Sequence, residues 1–256
     1  MNTYRIALAL LCTAAVSACG DNAVQKITSQ VPGANVKFYN LGVGSPDVNF
    51  YANTTKVTAS ASSSGTEATT GVAYGKQSSG GFYTGIVPGS YTLAGKIAAA
   101  TDKDLAISTI ATTLADGKYY SYFQSGFYNT TAKTVESFLV EDPFISGFDF
   151  TVAYVRFVNA SPNSQPMILY AKQTTTLVEV PLGAAVAYKS AGAFTALPSG
   201  VYDLGTRAVG SSTNLISSTK ETFFAGGVYT VVAYGDMTVT STTSAARPQL
   251  ISTLNR

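Results

Sequence analysis

Val36-Lys37-Phe38-Tyr39-Asn40 returns in the second half of the chain as Val155-Arg156-Phe157-Val158-Asn159. In the first copy, apolar Val36 and Phe38 alternate with Lys37 and Tyr39. In the second, Val155 and Phe157 alternate with Tyr154 and Arg156. A period of two with one polar face predicts a half-buried strand. Further blocks repeat in the same order: Ser45-Pro46 with Ser161-Pro162, Tyr51-Ala52 with Tyr170-Ala171, and Val72-Ala73-Tyr74 with Val186-Ala187-Tyr188. Val87-Pro88-Gly89-Ser90-Tyr91-Thr92-Leu93 then matches Leu197-Pro198-Ser199-Gly200-Val201-Tyr202-Asp203-Leu204, and Gly117-Lys118-Tyr119 aligns with Gly227-Val228-Tyr229. Matches in constant order with small insertions between them mark a tandem duplication.

The Pro-Gly and Pro-Ser-Gly elements predict turns, because proline presets φ and glycine permits a positive φ. Each re-enters a strand with Tyr91 and Leu93, or Tyr202 and Leu204, facing inward. A helical period is almost absent, with Asp102 to Leu114 the one ambiguous stretch. Short strands with Gly, Pro and Asn punctuation predict an all-β fold: two tandem antiparallel β-sandwiches. The expected boundaries are 34–142 for the first repeat, 143–152 for a linker around Asp142-Pro143 to Gly147, and 153–256 for the second repeat. Glu136 to Val140 is expected to complete the first sandwich and Gln249 to Leu254 the second. Thr58 to Gly71, rich in Ser, Thr and Gly, is an insertion confined to the first copy.

The residues before the repeats have a different character. Met1 to Arg5 is a short basic start, Ile6 to Val16 is apolar, and Val16-Ser17-Ala18-Cys19 forms a lipobox-like end. The apolar run is too short for a permanent membrane span and fits a secretory leader. Residues 1–18 are therefore expected to be a lipoprotein signal peptide, Cys19 the lipidated residue, and 19–33 a polar tether. Acyl chains on Cys19, palmitate among them, would hold the protein at a membrane surface. Gly20 follows the cysteine, so the expectation is the outer membrane if the source is Gram-negative and the outer face of the single membrane if it is Gram-positive.

Composition narrows the chemistry. Only 12% of residues are charged, and removal of Arg5 with the leader leaves fifteen basic residues against fourteen acidic ones. That balance offers no electrostatic footprint for nucleic acid. The chain has no histidine, which rules out Ser-His-Asp, Cys-His and histidine-based zinc sites within it. Cys12 lies in the leader and Cys19 is committed to lipid, so no thiol pair is left for a disulfide.

Val155-Arg156-Phe157-Val158-Asn159-Ala160-Ser161-Pro162, the Pro-Gly-Tyr element and the strand around Tyr229-Thr230-Val231-Val232-Ala233 resemble the bacterial family called domain of unknown function 4397. The likeness covers roughly Val36 to Tyr128 and Val155 to Asp236. It is closer in the second copy, since the first has Leu41-Gly42-Val43-Gly44 before Ser45-Pro46. The resemblance implies exported, surface-associated tandem β-domains and transfers no catalytic residue. The Pro-x-Gly-x-Tyr element is also similar to one in transthyretin-like sandwiches, within the broader Ig-like architecture.

Candidate functional side chains are few. Asp102 and Asp104 flank Lys103, and Glu141 adjoins Asp142. A glycosidase needs two carboxyl groups facing across a cleft, but neither pair has a counterpart in the other repeat, and both read as solvated turn charges. Their spacing also falls short of a calcium cage, so no metal ligand and no cofactor is assigned. Asn40 and Asn159, at matched positions, are expected to cap their own turns. In Tyr119-Tyr120-Ser121-Tyr122-Phe123, alignment of Tyr119 with Tyr229 turns Tyr120 and Tyr122 outward, as a flat surface for sugar rings or a protein partner. The functional expectation is a non-catalytic envelope lipoprotein that binds or scaffolds, attached to the membrane through Cys19, with a glycan or envelope protein as partner. The alternatives are a carboxylate-dependent glycan-active enzyme and a carbohydrate-binding module built on Tyr120 and Tyr122.

Overall fold

The computed structural model describes residues 32–58, 70–144 and 147–256. Gly33–Arg256 forms one compact unit. The expected leader, Cys19 and most of the tether lie outside the described residues, as does most of the Thr58 to Gly71 insertion.

The duplication is carried through strand by strand. In the first repeat one sheet runs β4 (Lys76–Gln77), β1 (Ala34–Asn40), β8 (Tyr119–Asn129), β9 (Thr134–Glu141), with β5 (Thr84–Ile86) also paired to β1. The facing sheet runs β3 (Thr55–Lys56), β2 (Val48–Ala52), β6 (Gly89–Ile97), β7 (Ala106–Leu114). In the second repeat the order is β13 (Ser190–Ala191), β10 (Val152–Asn159), β17 (Val228–Tyr234), β18 (Gln249–Leu254), with β14 (Thr195–Pro198) on β10. Its facing sheet runs β12 (Glu179–Pro181), β11 (Met167–Gln173), β15 (Gly200–Ala208), β16 (Ile216–Phe223). The all-β, two-sandwich expectation holds, and the ambiguous stretch from Asp102 to Leu114 becomes a turn and β7.

One pairing in each repeat is parallel: β1 runs alongside β8, and β10 alongside β17. Parallel neighbours need a long crossover, and here the intervening facing sheet provides it. The expected turns are present in duplicate. Tyr91 Oη donates to the Val87 carbonyl and Tyr202 Oη to the Pro198 carbonyl, each at 2.8 Å and each four residues back. The hydroxyl thereby pins the strand entry to the turn that precedes it.

Each sandwich has its own core. Val36, Phe38, Phe50 and Leu93 fill the first; Val155, Phe157, Leu169 and Leu204 fill the second. A third cluster belongs to neither sandwich. Tyr39, Leu41, Phe123 and Phe138 from the first repeat meet Val158, Ala160, Val232 and Tyr234 from the second. Phe123 stacks on Tyr39 at 4.6 Å and on Phe138 at 4.8 Å, while Tyr234 meets Tyr74 edge-on at 5.9 Å.

The β1-containing sheet of one repeat therefore packs its outer face on the β10-containing sheet of the other, so four sheets lie in one stack. This corrects the half-buried reading of β1 and β10. Both faces of these strands are covered, and Lys37, Tyr39 and Arg156 are as buried as their apolar neighbours. The alternation separates core from seam, with no solvent face involved. Near-continuous burial is the pattern of a strand with layers on both sides.

Phe123 stands at the centre of the seam. We expect Phe123→Ala to lower the free energy of unfolding by about 3–5 kcal/mol, the usual cost of emptying a buried aromatic site. Urea denaturation followed by tyrosine fluorescence should show both repeats unfolding in one transition at a lower midpoint.

Candidate functional site at the seam between the repeats

Beyond the apolar cluster, the seam continues as a polar pocket built on the two strand cations. Lys37 on β1 and Arg156 on β10 occupy matched positions, and both point out of their own cores because Val36, Phe38, Val155 and Phe157 fill those cores. Arg156 donates from Nε to Thr230 Oγ1 at 3.0 Å and from Nη1 to the Glu141 carbonyl at 3.1 Å. Its Nη2 pairs with the Asp142 carboxylate, and both side chains are fully buried. The other Asp142 oxygen accepts from Tyr83 Oη at 2.6 Å and Ser121 Oγ at 2.8 Å. Every side of the carboxylate is thus engaged, as a buried charge requires.

Among the described residues, no carboxylate forms an ion pair with Lys37. Its Nζ donates to Asn255 Oδ1 at 2.8 Å and to the Leu254 carbonyl at 3.2 Å, and it sits 4.5 Å from the Tyr83 ring centre. Burial pulls its pKa down to about 7; Asp142 pushes the other way, and Arg156 adds to the lowering. Burial, followed by the charge and hydrogen bond of Asp142, also raises the Tyr83 phenol well above its ordinary value.

A cleft of about 420 Å³ opens beside this pocket, lined among others by Lys118, Tyr119, Glu141, Asp142, Phe144 and Arg256. Tyr119 meets Phe144 at 4.8 Å, and the Arg256 guanidinium lies over Phe144 and Phe148 at 5.5 and 4.8 Å. Lys118 and Glu141 form an ion pair of 2.7 Å at the rim. The walls thus combine aromatic faces, an arginine and a carboxylate, a mixture suited to gripping a polar partner with apolar portions.

The residues singled out from sequence are placed differently. Tyr120 and Tyr122 do not face outward: both lie in the first core, and Tyr122 is fully buried against Phe38 and Phe50. The cause is a shift of one residue. In the structure β1 pairs Val36 with Tyr120, while β10 pairs Val155 with Tyr229, so Tyr120 and not Tyr119 is the counterpart of Tyr229. Tyr120 Oη accepts from the Ala115 amide and Tyr229 Oη from the Phe224 amide, confirming the match. A slip of one position exchanges the two faces of a strand. The Tyr122 hydroxyl is accommodated by Ser108 Oγ at 3.0 Å, which in turn donates to Gln124 Oε1.

The acidic pairs separate. Glu141 is exposed at the cleft rim, whereas Asp142 is the buried partner of Arg156, which overturns its reading as a solvated turn charge. Asp104 accepts from Tyr51 Oη at 2.9 Å, and Asp102 pairs with Lys133 at 3.2 Å. Neither pair aims two carboxylates at one point. Among the described residues, no group of three or more His, Cys, Asp or Glu is poised to hold a metal ion.

Asn40 and Asn159 are buried clamps between distant segments. Asn40 Nδ2 donates to the Pro46 and Val72 carbonyls, and Asn159 Nδ2 to Ser164 Oγ and the Val186 carbonyl. The expected local cap is present as well in the second copy, where the Ser161 amide donates to Asn159 Oδ1. Sequence reasoning missed Lys37 and Arg156 as a site. The available signal was a cation at the same position of both copies of a strand otherwise bound for burial.

Residues 153–252, the second repeat, match the family model described as domain of unknown function (DUF4397). No curated protein matches the chain.

Removing the Asp142 charge leaves Arg156 buried without its counter-ion. We expect Asp142→Asn to lower the unfolding free energy by about 3–5 kcal/mol. Glu141→Gln, which loses only an exposed ion pair, should stay within about 1 kcal/mol of the parent. Urea midpoints measured on the two variants check the contrast.

Proposed function

We propose that the chain is a non-catalytic envelope lipoprotein that presents a rigid double sandwich for binding or scaffolding at the cell surface or in the periplasm. Attachment rests on Val16-Ser17-Ala18-Cys19, which ends a basic start and a short apolar run. Acylation of Cys19 would supply the membrane anchor. Gly20 after the cysteine directs the protein to the outer membrane in a Gram-negative cell.

The binding role is carried by the cleft at the polar end of the seam. It gathers groups from β8, β9, the linker and the segment after β18, and the Asp142–Arg156 pair stiffens its floor. A site fixed by buried partners loses little freedom when it is occupied, which favours recognition. The partner class that fits is an envelope protein or glycan segment offering both polar and apolar contacts to Phe144, Arg256 and Glu141.

Two measurements test this reading. Mass spectrometry of natively produced protein should find Cys19 as the acylated first residue, and Cys19→Ser should move the protein out of the membrane fraction. A pull-down from intact envelopes should recover a partner with the parent protein and lose it with Phe144→Ala/Arg256→Ala. An unacylated Cys19 would overturn the anchor, and unchanged capture by the double variant would overturn the cleft.

A further inference from the structure

We propose that Lys37 and Asn255 become joined by an intramolecular amide bond, a covalent tie between the first strand of the first repeat and the segment that follows the last strand of the second. The observation behind it is the pairing of a buried amine with a carboxamide at the polar end of the seam. Lys37 is completely buried, and its Nζ lies 2.8 Å from Asn255 Oδ1.

The carboxamide is held in place for the encounter. Asn255 Nδ2 donates to Thr230 Oγ1 at 2.7 Å, its backbone amide donates to the Val228 carbonyl at 2.7 Å, and Thr230 is itself fixed by Arg156 Nε. The amine is held equally well, by the Leu254 carbonyl and by the face of Tyr83. With Nζ already 2.8 Å from Oδ1, a small turn about the Asn255 Cα–Cβ bond swings Cγ toward the nitrogen. Reactants held in this way reach effective molarities on the order of 10⁵–10⁸ M.

Only the free amine is a nucleophile, and a buried lysine is the form of this residue that supplies it. Desolvation holds the Lys37 ammonium down to about 7, so a large share is unprotonated near neutrality. Asp142 and Arg156 are the charged groups acting on it, and the carboxylate is fully occupied by Arg156, Tyr83 and Ser121.

The chemistry balances without a co-reactant. Lys37 Nζ attacks Asn255 Cγ and forms the new C–N bond. The Cγ–Nδ2 bond then breaks, and Nδ2 leaves as ammonia, taking the proton shed by the attacking amine. Nothing is oxidised or reduced. Thr230 Oγ1, which already accepts a hydrogen bond from Nδ2 and is itself held by Arg156 Nε, gives the departing group a fixed polar contact.

Intact mass and peptide mapping of the full folded chain decide the matter. The expected protein is lighter than its processed sequence by one ammonia. Trypsin should fail to cut after Lys37 and should yield a branched peptide that joins Lys37 to Asn255. Asn255→Ala, which alters a partly exposed side chain beside the strand end, should restore the full mass and the cut. Lys37→Arg should do the same wherever it folds. The parent should also migrate faster than Asn255→Ala on a denaturing gel, because a closed loop stays compact. A folded parent with full mass and a linear Lys37 peptide overturns the proposal. So does an ammonia loss that maps to any other residue.

Discussion

Two sheets that each expose an apolar outer face are the constraint on which the molecule depends. A sandwich ordinarily buries one face of each sheet and leaves the other wet. Here Tyr39, Leu41, Phe123, Phe138, Val158, Ala160, Val232 and Tyr234 make the outer faces of the β1 and β10 sheets too apolar to stand alone. Apolar burial of this kind contributes in proportion to the area removed from water. It also explains why the central strands β1, β8, β10 and β17 are covered on both sides, and why charged side chains on them are forced into the interior.

The buried charges follow from that constraint. A cation carried to the middle of a four-layer stack must find a counter-ion, find carbonyl acceptors or lose its proton. Arg156 takes the first course with Asp142, and Lys37 combines the other two. The cleft beside them is shaped by the same event. Asp142 ends β9 by turning inward to meet Arg156, and the chain that follows, Pro143-Phe144, is left to form the wall facing Arg256.

Much of the fold was legible in the sequence because the duplication supplies a check on itself. Matched strands, matched Pro-Gly turns and the inward Tyr91 and Tyr202 appear where the repeats say they should. The faces of β8 were misassigned for a definable reason. Gly117 and Gly226 are the equivalent turn glycines, both with positive φ (68° and 76°), but the local pattern Gly-x-Tyr recurs one residue later and aligns Gly117 with Gly227. The seam itself left a weaker trace. Alternation reports that two faces of a strand differ, and a sheet facing water and a sheet facing a second sheet through a partly polar seam produce similar alternation. The inward turn of Asp142 is a long-range outcome that its neighbours in sequence do not announce.

Positions that correspond between the repeats meet across the seam, which is the arrangement of a two-fold dimer written into a single chain. Fusion frees such a surface from having to complement itself. At three corresponding positions the first repeat has the bulkier residue: Tyr39 against Val158, Leu41 against Ala160, Phe123 against Val232. At a fourth the balance reverses, with Ser125 opposite in rank to Tyr234, and Ser125 Oγ uses its small size to reach the Ala160 carbonyl at 2.7 Å. The halves have therefore specialised as knob and socket, so neither could be exchanged for a second copy of the other without leaving voids on one side and collisions on the other.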